Sequence, residues 1–226
     1  MKKYSKLIIG SILMFLFVLL TILLKFVDVQ KIGPNVVEVG FAELNHIFVN
    51  LIDYNETLFK IADYMILAAF PVAGIFVVLG IVQWVKRKNI LKVDHQVLTL
   101  GVCYAVVISI YVLFLFVTIN ERPYGEPESS YPSSHAMVAL FVFLSAIYMA
   151  KYLLANHKKL AIASYIVLIL LAGFTLFGRL LSGAHWFTDI LGGCLLSAGL
   201  LYIFIFFCEF IGEKKKASKD EENQTL

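Results

Sequence analysis

Apolar residues along the chain gather into six long runs, at about 7–27, 61–85, 97–119, 136–155, 160–177 and 190–211. A helix needs about 20 mostly apolar residues to cross the hydrocarbon core. Each run is near that length, and in lipid a spanning segment must satisfy its backbone internally. The pattern predicts an all-α membrane protein with six transmembrane helices in one bundle, a single domain over 1–212. A shorter pattern lies between the first two runs. Glu43, His46, Asn50 and Asp53 recur at steps of three, four and three, with Leu44, Ile47, Phe48 and Leu51 on the other face. That spacing predicts an amphipathic helix on the membrane surface, as a connector or a lid. The stretch 213–226 is polar and charge-mixed, and reads as a disordered cytoplasmic tail.

Composition points the same way. The chain has 226 residues, 60% hydrophobic and 15% charged, against about 45–50% and about 25% in soluble domains. This excludes a soluble enzyme, a disordered chain and a nucleic-acid-binding domain. The first run follows Lys2, Lys3 and Lys6 as a signal peptide would. Its apolar stretch is longer than a signal core and no small-x-small site follows, so a retained helix is expected. Cys103, Cys194 and Cys208 lie inside apolar runs. They read as small buried hydrophobes, with neither disulfide nor zinc-site spacing.

Charge is scarce, so its placement matters. Lys2, Lys3 and Lys6, then Lys86, Arg87, Lys88 and Lys92, then Lys158 and Lys159, then Lys214, Lys215, Lys216 and Lys219 all fall on one side of a six-span chain. The excess of basic residues predicts that this side, with both termini, is cytoplasmic. The tail lysines are expected to meet lipid headgroups rather than nucleic acid. Arg122 and Arg179 run against the trend, on the opposite side.

Those arginines belong to two polar segments. The first holds Asn120-Glu121-Arg122-Pro123 and Tyr131-Pro132-Ser133-Ser134-His135; the second holds Gly178-Arg179 and His185-Trp186-Phe187-Thr188-Asp189. Polar groups near lipid are costly and mark function by default. Arginine forks suit phosphate oxygens, Ser133 offers a hydroxyl, and Ser134 and His135 stand where a helix N-terminus favours anions. His185 and Asp189 are four apart, which on a helix puts them on one face. Asp189 would then hold one ring nitrogen of His185 and leave the other free to attack. His135 is left as the general acid.

Taken singly, each residue has a structural role open to it. Arg122-Pro123 suits a turn, Arg179 a snorkelling helix end, Ser133 or Ser134 a cap, and Asp189 a first-turn charge. Together, on one side and in two segments, they point to a site. Trp186, Tyr124 and Tyr131 read as interfacial aromatics. Asp63 sits one turn from Lys60, which predicts a local ion pair. Glu121, Glu126 and Glu128 are expected to be solvated. Asn55-Glu56-Thr57 forms a weak glycosylation sequon.

At these residues the sequence resembles the type 2 phosphatidic acid phosphatase superfamily, which also holds acid phosphatases and haloperoxidases. The family pattern is a lysine seven residues before Arg-Pro, then Pro-Ser-Gly-His, then Ser-Arg, five residues, His, three residues and Asp. Arg122-Pro123, Pro132-Ser133-Ser134-His135, and the Arg179, His185, Asp189 spacing match it. The six-span layout is similar to the family's membrane branch.

The resemblance implies that Arg122, Arg179, Ser133 and the groups around Ser134 bind phosphate. It also implies that His185 forms a phosphohistidine, Asp189 orients it and His135 protonates the leaving group, with no metal or other cofactor. It implies a membrane phosphatase acting on a lipid phosphate or diphosphate: a polyprenyl diphosphate, phosphatidylglycerol phosphate or phosphatidate. The placement of basic residues puts the site at the outer face, and the small size and short loops suggest a bacterial plasma membrane. A phosphotransferase using the same intermediate, or a non-catalytic lipid phosphate binder, is the alternative. The sequence departs from the pattern at Leu115 for the lysine, Gly178 for serine and Ser134 for glycine. Lys25, Lys31 and Lys60 are candidates to replace the missing charge.

Overall fold

The computed structural model describes residues 2–125 and 128–224. It is an α-helical membrane bundle whose described residues include six helical segments long and apolar enough to span: Ser5–Leu23, Glu56–Arg87, His95–Phe116, His135–Leu153, Lys158–Leu181 and Phe187–Ser218. The helices are α1 (Ser5–Leu23), α2 (Ala42–Leu51), α3 (Glu56–Tyr64), α4 (Ala69–Arg87), α5 (His95–Phe116), α6 (Leu140–Leu153), α7 (Lys158–Leu181) and α8 (Phe187–Gln224). A 3-10 turn, Met65–Ala68, links α3 to α4, and a π-turn, His135–Ala139, leads into α6. A two-stranded antiparallel hairpin, β1 (Gln30–Ile32) and β2 (Val37–Val39), precedes α2.

The spanning helices expose apolar side chains on their outer faces, among them Ile8, Phe15, Ile75, Val78, Ile166 and Leu170. Lipid is as apolar as these side chains, so close backbone packing has to hold the helices together. α1 and α8 meet through small residues: a Cβ on Gly10 would stand 2.8 Å from Ile203, and one on Gly199 2.9 Å from the Met14 sulfur. At one end of that pair Lys3 bonds Glu213 at 2.7 Å and Lys6 pairs with Glu209. The N-terminus and the C-terminal half of α8 therefore share one end of the bundle. Helix α8 continues through Gln224 where a disordered tail is expected. Lys214, Lys215, Lys216, Ala217 and Glu221 are strong helix formers and extend a helix already nucleated by packing.

The surface helix α2 is present and keeps Leu44, Ile47 and Leu51 exposed. Its anchors are Asn45, which lies on neither expected face, and Phe48 of the apolar face. Asn45 is fully buried and its amide donates to the Gly40 carbonyl (2.9 Å) and the Thr188 hydroxyl (3.0 Å), while its oxygen accepts from the Thr188 N–H at 3.2 Å. Phe48 stacks on Phe187 with centroids 4.1 Å apart. These contacts pin α2 to the first turn of α8, where the site begins.

Candidate active site

Three chain segments build the site at the bundle end opposite Lys3 and Glu213. The first is the loop after α5. It folds back on itself through a bridge between Glu121 and Ser129, with the Arg122 N–H donating to the Glu128 carbonyl (3.1 Å) and the Ser130 N–H to Asn120 (2.9 Å). This sets the Arg122 guanidinium, whose Nη2 lies 3.2 Å from Glu128. Glu128 is thus an ion-pair partner rather than a merely solvated charge, and Glu126 lies outside the described residues. Lys25 donates to the Thr118 and Ile119 carbonyls at 3.2 and 2.9 Å, at the loop's start.

The second segment carries Ser133, Ser134 and His135 into the π-turn. A π-turn offsets the backbone pattern, and Ser197 of α8 meets its carbonyls, with the hydroxyl 2.6 Å from Ala136 and 2.8 Å from Met137. Such turns recur at functional sites. Helix α8 presses close here because Gly193 has no side chain: a Cβ would stand 2.7 Å from the Ala136 Cβ and 3.0 Å from the Ser133 carbonyl.

The third segment joins α7 to α8. Arg179, in the last turn of α7, is buried at 1% exposure rather than snorkelling. His185 precedes α8 by two residues, so the His185–Asp189 pair is not formed along a helix face as expected. It is formed at a helix cap: the Trp186 N–H donates to Asp189 Oδ2 at 3.0 Å, the reach-back bond of a capping box. That turn leaves His185 Nδ1 3.6 Å from the same oxygen. The other carboxylate oxygen accepts from the Asn120 amide at 3.0 Å, and the Asp189 carbonyl accepts from the Ser133 N–H at 3.0 Å. One residue thereby ties all three segments together.

Arg122, Ser134 and His185 line a cavity of about 370 Å³ that Leu115 also borders. Several buried polar atoms find no protein partner: Arg122 Nε, Arg179 Nε and Nη1, Ser133 Oγ, and both ring nitrogens of His185. Buried donors are ordinarily satisfied, so these unpartnered groups mark the cluster as a candidate anion site. Burial first, then the Arg179 and Arg122 charges, holds the His185 imidazole well below its ordinary pKa, which keeps it neutral. Among the described residues no group of three or more His, Cys, Asp or Glu is arranged to hold a metal ion.

Three sequence readings need correction, those of Trp186, Tyr131 and Asp63. Trp186 and Tyr131 are not interfacial but buried, at 0% and 1% exposure. Trp186 donates to the Glu121 carbonyl at 2.6 Å, and Tyr131 bonds Thr21 at 2.7 Å, between Phe17 and Phe114. Tyr124 stays partly exposed and stacks on Tyr54, with ring centroids 5.0 Å apart. Asp63 does not pair with Lys60, which binds Glu56 at 2.6 Å; it meets Arg179 Nη2 at 3.2 Å and lies 3.5 Å from His135 Nε2. Two candidates for the missing lysine are engaged elsewhere, Lys25 on carbonyls and Lys60 on Glu56, while Lys31 sits on β1 opposite Glu38. Asn120 carries no sequence signal as a site residue, because its partner Asp189 lies 69 residues away.

Fold and site define a membrane-embedded bundle with a buried cradle of arginine, histidine and serine at one end. Residues 114–210 match the profile of the PAP2 superfamily. Phosphatidylglycerophosphatase B of Bacillus subtilis (strain 168) is 37% identical over 83 residues, which are 35% of this chain and 38% of that protein. The chain therefore aligns with well under half the length of that relative. The crystal structure of a transmembrane PAP2-type phosphatidylglycerolphosphate phosphatase from Bacillus subtilis superposes with a TM-score of 0.58. It covers 89% of this chain and 96% of its own at 21% identity, a likeness of fold.

Proposed function

We propose that this protein is a phosphatase of membrane lipids, releasing phosphate from a lipid phosphate or diphosphate through a phosphohistidine. The observation that carries the reading is the set of unpartnered buried donors around His185: two arginines and Ser133 converge where phosphate oxygens would be bound. A carboxylate 3.6 Å from Nδ1 leaves Nε2 as the attacking atom.

In the first step Nε2 of neutral His185 attacks phosphorus and the bond to the leaving oxygen breaks. His135 gives that oxygen its proton, and Asp189 offsets the positive charge that develops on the His185 ring. In the second step water attacks phosphorus, its proton passes to His135, and the P–N bond breaks to free phosphate. Arg122 and Arg179 hold the equatorial oxygens, whose charge peaks in each transition state.

The name of the relative makes phosphatidylglycerol phosphate the first lipid to try, with phosphatidate and a polyprenyl diphosphate beside it. The basic clusters at the Lys3–Glu213 end support a cytoplasmic position for both termini and an extracytoplasmic site, and the bacterial source of the relatives supports a bacterial plasma membrane. Leu115, where the family pattern has lysine, favours a second reading: a lipid phosphate binder without turnover. Phosphate release from these three lipids by purified protein in detergent decides. Release lost in His185→Ala supports the phosphatase; binding without release supports the binder.

A further inference from the structure

Helix α3 places a negative charge inside the cradle. Asp63 Oδ1 lies 3.2 Å from Arg179 Nη2 and 3.5 Å from His135 Nε2. His135 Nε2 also lies 3.2 Å from the Asp63 carbonyl, and its Nδ1 lies 3.4 Å from Ser134 Oγ. One carboxylate oxygen therefore stands between the arginine and the histidine, on the Nη2 side of a guanidinium whose Nε and Nη1 are left unpartnered. Phe59, one turn earlier on α3, lies 4.9 Å from the Arg179 guanidinium and 5.6 Å from that of Arg122. The Asp63 side chain is half exposed, so water can receive it if it leaves.

The seat of α3 depends on a departure from the family pattern. A Cβ on Gly178 would stand 3.0 Å from the Cβ of Ala62. The missing side chain, one residue before Arg179, lets α3 approach α7 closely enough for Asp63 to reach the arginine. Leu115 and Asp63 act in one direction: the first withholds a positive charge from the cavity, the second spends part of one that is present.

We propose that Asp63 is a resident competitor for phosphate, an affinity-determining residue whose carboxylate occupies the Arg179–His135 side of the cradle until a phosphate group displaces it. The proposal rests on the cradle being a phosphate site, but not on turnover. Calorimetric titration of inorganic phosphate into the purified full chain tests it directly. Asp63→Asn keeps the shape and removes the charge. It should tighten phosphate binding by about two- to fivefold, the range for a partly exposed ion pair. Gly178→Ala, which pushes α3 away, should act in the same direction. The double variant should gain less than the product of the two, since both release one contact.

Unchanged or weaker phosphate binding in Asp63→Asn overturns the proposal. So does a fall in kcat with unchanged phosphate affinity, which would make Asp63 a positioning residue for His135. Tighter phosphate binding in a chain that hydrolyses nothing supports the competitor while removing the phosphatase.

Discussion

His185 Nδ1 lies 3.6 Å from the Asp189 oxygen that also accepts the Trp186 N–H, and Asn120 holds the other oxygen at 3.0 Å. Two hydrogen bonds hold the carboxylate in place, and in the proposed mechanism it orients the imidazole. Asp189→Asn keeps the shape but loses the charge that would stabilise the imidazolium. A kcat loss of about 10³-fold or more is expected, with KM little changed. Asn120→Ala removes one hydrogen bond to a charged group, commonly about 1.5–3 kcal/mol, and should cost kcat about tenfold to a hundredfold. Steady-state kinetics on a lipid phosphate in detergent checks both.

Acid dependence follows from the lowered pKa of His185. Burial is the largest cause, followed by Arg179 and Arg122. In the proposed mechanism neutral His185 is the reactive form, so its protonation should reduce kcat/KM only well below an ordinary histidine pKa of about 6.5. Removing one of the lowering charges by Arg122→Gln should move that acid limb upward, besides weakening phosphate binding. For stability the sign is the same. The unfolded histidine binds its proton first, so the contribution is complete above about pH 6.5 and is lost as pH falls below it. A kcat/KM profile of both proteins locates the limb, and an unmoved limb in Arg122→Gln contradicts the assignment.

Leu115 borders the cavity with 57% exposure. Leu115→Lys should bring a cation to the phosphate and strengthen inhibition by inorganic phosphate about fivefold, from about 1 kcal/mol of attraction in a wet site. Lys25→Gln should leave phosphate inhibition unchanged, because that lysine is spent on the Thr118 and Ile119 carbonyls. Inhibition constants for the two variants separate a vacant lysine position from a replaced one.

Gly193 and Gly173 offer a matched pair. A Cβ at Gly193 would collide with Ala136 and the Ser133 carbonyl, while one at Gly173 meets nothing within 4 Å. Gly193→Ala should cost about 1–3 kcal/mol of stability and displace the segment bearing Ser133 and His135, with loss of activity. Gly173→Ala should be neutral or stabilising, since alanine favours the helix by up to about 1 kcal/mol. Thermal melting in detergent, read beside activity, distinguishes them.

The parts of this molecule visible in its sequence are those with local or periodic signals. Six apolar runs announced the spanning helices, and the spacing of Arg179, His185 and Asp189 marked one end of the bundle. What escaped notice depends on distant partners. Asp63 has Lys60 as its sequence neighbour, yet Lys60 takes Glu56, and the packing of Ala62 on Gly178 hands Asp63 to Arg179. Asn45 looks like a polar residue on a surface helix until Thr188 is brought to it from 143 positions away. Trp186 and Tyr131 have the amphipathic character of interfacial aromatics; distant partners bury them, Glu121 and Gly33 for Trp186, and Phe17, Thr21 and Phe114 for Tyr131. The π-turn at His135 leaves no sequence signal of its own, because its support, Ser197, comes from α8.

The covalent intermediate is the most direct test of the proposed chemistry. Purified protein should be mixed with a lipid phosphate carrying a ³²P label in the transferred group, quenched within the first turnover, and analysed for protein-bound label. The account predicts an alkali-stable, acid-labile phosphohistidine on wild-type protein, mapped to His185 and absent from His185→Ala. Label retained by His185→Ala, or phosphate released by that variant at the wild-type rate, would contradict it.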